Sequence, residues 1–169
     1  MISSYYATHL SHLDRINWDY ADRMQYAALG GGGEVWYVYD AAGERVRKII
    51  ENRNIKEERL YLGGYEIYTK TNNGEVEVER ETLHVYDKDK RIAILDTEER
   101  TTTIRYQYDN HLGSACLELD HTAAIISYEE YHPFGTTSYR SGRTETEVSL
   151  KRYKYIGKER DNETGLYYY

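Results

Sequence analysis

Acids, histidines, one thiol and glycine-rich turns are the groups in this sequence that could do chemistry. Asp161 and Glu163, two apart, would share a face of an extended segment, and two carboxylates sharing a proton can work as acid and base. Their setting, the charged turn GKERDNETG, instead predicts solvated acids. Glu98-Glu99 and Glu129-Glu130 are adjacent on strand-like segments, so each pair points to opposite faces. His9-x-x-His12 could share one side of a helix, and His121 follows Asp120, but neither pair has the further ligands a metal needs. His84, His111 and His132 recur inside similar segments, which reads as a structural role in a repeat. Cys116, between Ala115 and Leu117, reads as a small packed residue, and a single cysteine excludes an intrachain disulfide. Gly30–Gly33 lacks the Lys-Ser/Thr of a phosphate loop, and no G-x-S-x-G turn occurs. The expectation is no catalytic residue, no metal and no cofactor.

Binding chemistry is suggested by tyrosine. The 169 residues include 20 Tyr but only one Phe and two Trp. A tyrosine ring is apolar with a polar tip, which suits strands with one face packed and the other partly wet. Such a face could stack on sugars or hold an unfolded chain, although packing within the sheet is the plainer role. Lys151-Arg152-Tyr153-Lys154-Tyr155 interleaves basic and aromatic residues as single-strand nucleic-acid binders do. Glu159, Asp161 and Glu163 follow closely and the net charge is −7, so nucleic acid is not the expected partner. No apolar run reaches the roughly 18–20 residues of a membrane helix, so this chain is not expected to insert. No basic-then-apolar leader opens the sequence, and export would then need a dedicated secretion system or a larger parent chain.

The elements that must position these groups are strands. Tyr20, Tyr39, Tyr61, Tyr86, Tyr108, Tyr131 and Tyr155 recur roughly 19–25 residues apart. Local context recurs with them: WYVYDAAGERVRK at 36–48, LHVYDKDKRIA at 83–93, IRYQYDNHLGSACLE at 104–118, and more loosely ISYEEYHPFGTTSY at 126–139. Trp36 and Val38 alternate with Tyr37 and Tyr39, Asp40 can bond its following backbone, and Gly43 can reverse the chain. Each unit is a strand–turn–strand, and the fold class is all-β. Asn73-Gly74, between alternating runs in 65–80, marks a type I′ hairpin. Residues 81–109 read as two further strands joined by a charged loop, Thr97–Thr101. About seven units, roughly 14 strands at about 4.8 Å each, would make a sheet near 65 Å across.

Residues 1–17 read as a cap or irregular segment, 18–139 as the repeat sheet, 140–150 as a polar loop, and 151–169 as a closing hairpin. A helical turn is a fair rival for a strand in 18–29, WDYADRMQYAAL. Structural motif positions are Tyr39, Asp40 and Gly43; Tyr86 and Asp87; Tyr108, Asp109 and Gly113; Pro133, Phe134 and Gly135; and Gly157, Asp161 and Gly165.

At WYVYDAAGERVRK, YQYDNHLGS, YHPFGTTSY and above all YKYIGKERDNETGLYYY, the chain resembles the bacterial Rhs/YD-repeat family. More narrowly it is similar to the Rhs repeat-associated core of Rhs effectors and of the C components of Tc insecticidal toxins. The similarity is loose over 18–139 and tight over 151–169. It implies a curved, spiral β-sheet forming part of a hollow shell around a C-terminal toxin, with the core plugging one end and cutting the toxin free as an aspartyl autoprotease. The family's Asp-Pro-x-Gly cleavage segment lies downstream of GLYYY, whereas Pro133 is the one proline here, so no catalytic residue carries over and no enzymatic activity is expected. Asp161 and Glu159 match GKERD in a structural role. Expected partners are the rest of the shell, a C-terminal toxin, or another copy through open sheet edges. The implied location is bacterial, cytoplasmic before export or secreted within a larger toxin. Two rival functions are a recognition module binding carbohydrate or protein through aromatic strands, and a remnant of the autoprotease core.

Overall fold

The computed structural model describes residues 13–144 and 151–169. Among them are twelve strands, each antiparallel to the next, in a sheet whose order is the order of the chain. The chain divides into two compact units between Glu81 and Thr82, inside one long strand, and each is described by itself. The roughly 14 strands expected from the repeats exceed the twelve described, because residues 151–169 form isolated bridges and no strand.

The first unit holds β1 (Leu13–Trp18), β2 (Met24–Leu29), β3 (Gly33–Tyr39), β4 (Arg45–Asn52), β5 (Ile55–Leu62), β6 (Tyr65–Asn72) and the start of β7 (Glu75–Asp87). Its apolar core is one cross-strand row, Ile16–Ala27–Val35–Ile50, flanked by Tyr37 and Leu29. The row is short, and cations lie on tyrosine rings beside it. Arg45 sits 4.7 Å from the Tyr37 ring centre, and Arg59 sits 4.6 Å from Tyr68 while pairing with buried Glu66 at 3.0 Å. A tyrosine ring accepts such a cation and still offers a hydroxyl donor, which phenylalanine cannot. This explains a sequence so rich in one aromatic and so poor in the other.

Several expectations meet the backbone here. Residues 24–29 are a strand, not a helical turn, and residues 13–17 belong to β1 rather than to an irregular cap. The remainder of the segment 1–17 lies outside the described residues, as do His9 and His12. Asn73 and Gly74 have φ of 52° and 85°, the pair of positive values a type I′ turn demands.

The second unit holds the rest of β7, then β8 (Lys90–Glu98), β9 (Thr101–Asp109), β10 (Ala115–Leu119), β11 (Ile125–Tyr131), β12 (Thr137–Gly142), and residues 151–169. The charged loop expected at Thr97–Thr101 shrinks to Glu99 and Arg100, both left-handed at φ 48° and 71°, because β8 and β9 pair out to Glu98 and Thr101. The polar stretch 140–150 begins inside β12, whose backbone pairs with β11 at Arg140, Ser141 and Gly142; residues 145–150 lie outside the description. Polar side chains did not prevent a strand, since the ladder bonds are made by the backbone.

Candidate functional site

The site begins with the turns. The Asp40 carboxylate accepts the Ala42 and Glu44 amides, each at 2.9 Å, and Gly43 donates to its carbonyl. The same five-residue turn recurs at Asp19–Arg23, Asn110–Ser114 and Asp120–Ala124, and without the side-chain bonds at His132–Thr136. Tyr39 closes β3 and its hydroxyl donates to the Met24 carbonyl at 2.8 Å. The other two Tyr-Asp pairs are used differently. Tyr86 and Asp87 end β7 exposed, ahead of a tight turn at Lys88. Tyr108 is exposed and Asp109 is half-buried at the end of β9, one place before the anchoring Asn110. Burial pushes the Asp109 carboxyl up against the pull of Arg91, Lys90 and Lys151. Equal motifs thus sit differently against their turns: the turn after Asp87 is shorter, and the one after Asp109 is the same five-residue turn begun one place later, so the capping residue is Asn110.

Beneath these turns the second unit buries charge. Across β7 to β11, Thr82 donates to Asp96 at 2.7 Å, Arg105 meets Asp96 and Glu118 at 3.3 Å each, and Gln107 and Ser127 donate to Glu118 at 2.9 and 2.8 Å. Alternation puts these residues on one face, and each acid is paired, which is the condition for burying charge.

Residues 151–169 dock at the end of this unit that carries the Asn110–Ser114 and His132–Thr136 turns. They were expected as a hairpin with a solvated charged turn. Instead they hold a 3-10 turn at Tyr155–Gly157 and two isolated bridges, Tyr153 with Glu159 and Arg160 with Tyr167. Ile156 and Gly157 are both left-handed, at φ 45° and 70°, which bends the chain before a ladder can extend. Glu159 and Asp161 are each 2% exposed, and Glu159 pairs with Arg152 at 2.7 Å. The acids are buried because the segment folds over them, with Asp161 bonded through its amide to Leu166 and through its carbonyl to Gly165.

Lys151 and Lys154 anchor the segment. Both are buried and both reach Glu129, at 3.5 and 3.3 Å, and Lys151 also donates to the Ala115 carbonyl. Burial pulls both lysines below their ordinary value, and the nearby carboxylates only partly offset it. Burial alone would raise the Glu129 carboxyl; the Thr137 hydrogen bond and the Lys154 and Lys151 charges outweigh it and hold it below its usual range. Around this centre, Ile156 donates its amide to the Ser114 hydroxyl at 3.0 Å, and Ala115 donates its own to the Lys154 carbonyl at 3.0 Å. Tyr155 donates to Pro133 and Tyr167 to Gly135, at 2.6 and 2.8 Å. Phe134 between them is 88% exposed. Gly157 lies beside Gly113, and Gly165 completes the turn from Asp161. At the β7–β8 side, Tyr153 lies edge-on to His84 at 4.9 Å and under Arg91 at 3.7 Å.

Of the motif positions, Pro133, Gly135, Gly157, Asp161, Gly165 and Gly113 come together in this dock. Tyr39, Asp40 and Gly43 belong to the first unit, and Tyr86 meets Arg91, the residue over Tyr153. Ser114 is a residue that sequence reasoning passed over, and Glu129, Lys151 and Lys154 were read there only as an opposed acid pair and a basic-aromatic run, not as partners. For Glu129 the one signal was charge at an alternate, inward-facing strand position, as at Arg105 and Glu118. Among the described residues no group of three or more potential metal ligands gathers, and no helix is long and apolar enough to cross a membrane.

No family model matches the chain. Toxin subunit YenC1 of Yersinia entomophaga is 39% identical over 145 residues, and toxin subunit YenC2 of the same organism is 36% identical over 151. Each match covers 79% of this chain and 15% of the relative, so the chain spans a small part of their length. Two solved structures, the TcdB2–TccC3 complex and the Photorhabdus luminescens Tc holotoxin pore, superpose at a TM-score of 0.86 with 32% identity. Those matches cover 94% of this chain and 8% of the larger ones. At that identity and coverage, the twelve-stranded meander and its docked C-terminal segment belong to the Rhs/YD-repeat family, in the branch of the Tc toxin C subunits.

Proposed function

We propose that this chain is a stretch of wall from a Tc-type toxin shell, serving to enclose and present a C-terminal toxin. The observation that carries this is the docked segment: residues 151–169 bury Lys151 and Lys154 against the sheet and tie two turns together. A meander whose order is chain order can be extended at either edge, and β1 and β12 each have one neighbouring strand among those described. Its partners are the rest of the shell and the enclosed toxin, with self-association through those edges as a further contact. The chain travels within a larger bacterial toxin, cytoplasmic until export. It contributes no proteolysis of its own: Glu159 is committed to Arg152, and Glu129 to two lysines. An intact mass that stays constant through acid incubation, equally for Asp161→Asn, is the expected result for that part.

Solution molar mass by light scattering, alone and with the chains encoded beside it, tests the wall reading. A concentration-dependent oligomer or a tight complex is expected; a monomer that binds none of them would overturn it. A second reading rests on Tyr128 and Tyr139, exposed with ring centres 6.3 Å apart on neighbouring strands. Such a pair could stack on a sugar. Glycan-array binding abolished by Tyr128→Ala and Tyr139→Ala would favour a recognition module.

A further inference from the structure

Two turns share one backbone plan and differ in how they are completed. Asp19–Arg23 joins β1 to β2, and Asn110–Ser114 joins β9 to β10. In each, the first amide donates to the fifth carbonyl, at 2.9 Å in both. The first side chain accepts from the third and fifth amides, at 2.9 and 3.0 Å for Asp19 and 2.9 and 3.1 Å for Asn110. The fourth residue is left-handed in both: Asp22 at 59° and Gly113 at 77°. A tyrosine at the end of the strand after next donates to the carbonyl just past the turn, Tyr39 to Met24 and Tyr131 to Ala115, both at 2.8 Å.

The first turn completes itself. Arg23, its fifth residue, lies 4.9 Å from the Tyr39 ring centre and pairs with Asp19, its first, at 2.8 Å. In the second turn the fifth residue is Ser114, wholly buried, and the first is Asn110, a neutral amide. Two residues before the tyrosine, where the first unit has buried Tyr37, stands Glu129. The cation near the Tyr131 ring, at 5.8 Å, is now Lys151, brought in by the C-terminal segment, with Glu129 as its counter-ion. Where an arginine side chain would start, the Ser114 hydroxyl takes the Ile156 amide. Three exchanges therefore act together: the turn's own cation and its acid are gone, and a new acid waits for a cation from elsewhere.

We propose that the β9–β10 turn is a peptide receptor derived from the self-completed turn, and that its occupant is the lysine-bearing segment 151–169 of this chain. Ser114 is its specificity-determining residue. A long side chain there fills the space through which Ile156 and Lys151 approach, and an arginine supplies the missing cation from within the turn. The receptor assignment starts from the same docked segment as the toxin-wall reading, but its test reads Ser114 and exchange at Ala115, and the light-scattering test reads assembly, so failure of one is distinguishable from failure of the other.

Hydrogen exchange on the full chain tests this, because the Ala115 amide is covered by the segment through the Lys154 carbonyl. Ser114→Arg is expected to speed exchange at Ala115 and across residues 151–169 by at least about tenfold, with β2 and β3 unchanged. Slow Ala115 exchange in a Ser114→Arg chain whose β9 and β11 amides remain protected would overturn the proposal. If Ser114→Arg also loosens β9 and β11, Lys151→Met decides: it is expected to free the segment, and slow Ala115 exchange in that variant refutes the assignment. A synthetic peptide of residues 151–169, added in excess to the Lys151→Met chain, is expected to restore slow exchange at Ala115. No slowing at saturating peptide would show that the turn is not a receptor.

Discussion

Glu129 faces Lys151 at 3.5 Å with both side chains 1% exposed, and the same carboxylate holds Lys154 at 3.3 Å. One strand residue therefore answers two cations from a segment that makes no ladder of its own. Removing the acid strands two buried ammonium groups, whereas removing a lysine leaves the other to pair. Glu129→Gln is expected to destabilise the fold by about 3–5 kcal/mol, more than Lys154→Met. Urea unfolding of both variants checks the order; equal losses would show that the lysines find other partners.

Gly135 is where the segment comes closest to a turn. A Cβ there would sit 2.8 Å from Cδ1 and 2.9 Å from Cγ of Tyr155, at a backbone φ of 84°. Gly74 has a similar φ, 85°, but open space around it. Gly74→Ala is expected to cost about 1 kcal/mol, from backbone strain alone. Gly135→Ala should cost about 2 kcal/mol more, because the ring must move. Limited proteolysis should then cut within 151–169 in the Gly135 variant and not in the Gly74 one.

Asp40 and Asp87 carry the same dipeptide motif and different duties. Asp40→Ala removes an acceptor for two turn amides and is expected to cost about 1 kcal/mol. Asp87, exposed at the end of β7, should tolerate alanine within about 0.5 kcal/mol. Thermal melts of the two variants provide the comparison, and a larger loss for Asp87→Ala would contradict the turn assignment.

Stability should fall on both sides of neutrality, for opposite reasons. Glu129, Glu77 and Asp120 are held below their ordinary carboxylate values by hydrogen bonds and paired cations. The unfolded chain then binds more protons in acid, so the stability these groups contribute above about pH 4.5 is lost as pH drops through their folded values. Tyr131 is pushed up by burial and by Glu129, and burial raises Tyr167 to about 12. Those phenols stay protonated in the fold after the unfolded chain has ionised, so stability falls as pH rises beyond about 10. Lys151 and Lys154 are depressed and act oppositely, adding stability as pH climbs toward their unfolded value. Urea midpoints between pH 3 and 11 should trace a plateau with two falling limbs, and the acid limb should shrink in Glu129→Gln.

The sequence by itself determined the strands, because alternation and turn chemistry are local. Trp36 and Val38 against Tyr37 and Tyr39, Asn73-Gly74, and the Asp40 turn were all legible, since each depends on residues within a few positions. Even the family resemblance rested on such short, ordered segments. Only the tertiary structure decided how charge is buried. Ser114 and Ile156, Ala115 and Lys151, and Glu129 and Lys154 are far apart in the chain, and no periodicity links them. Lys151 and Lys154 read as part of a run interleaving basic and aromatic residues until the fold set Glu129 against them. Asp161 read as a solvated acid of a charged turn until the segment closed over it. A charged side chain is buried when a partner from elsewhere offsets its desolvation, and that partner is a property of the fold rather than of the neighbouring residues.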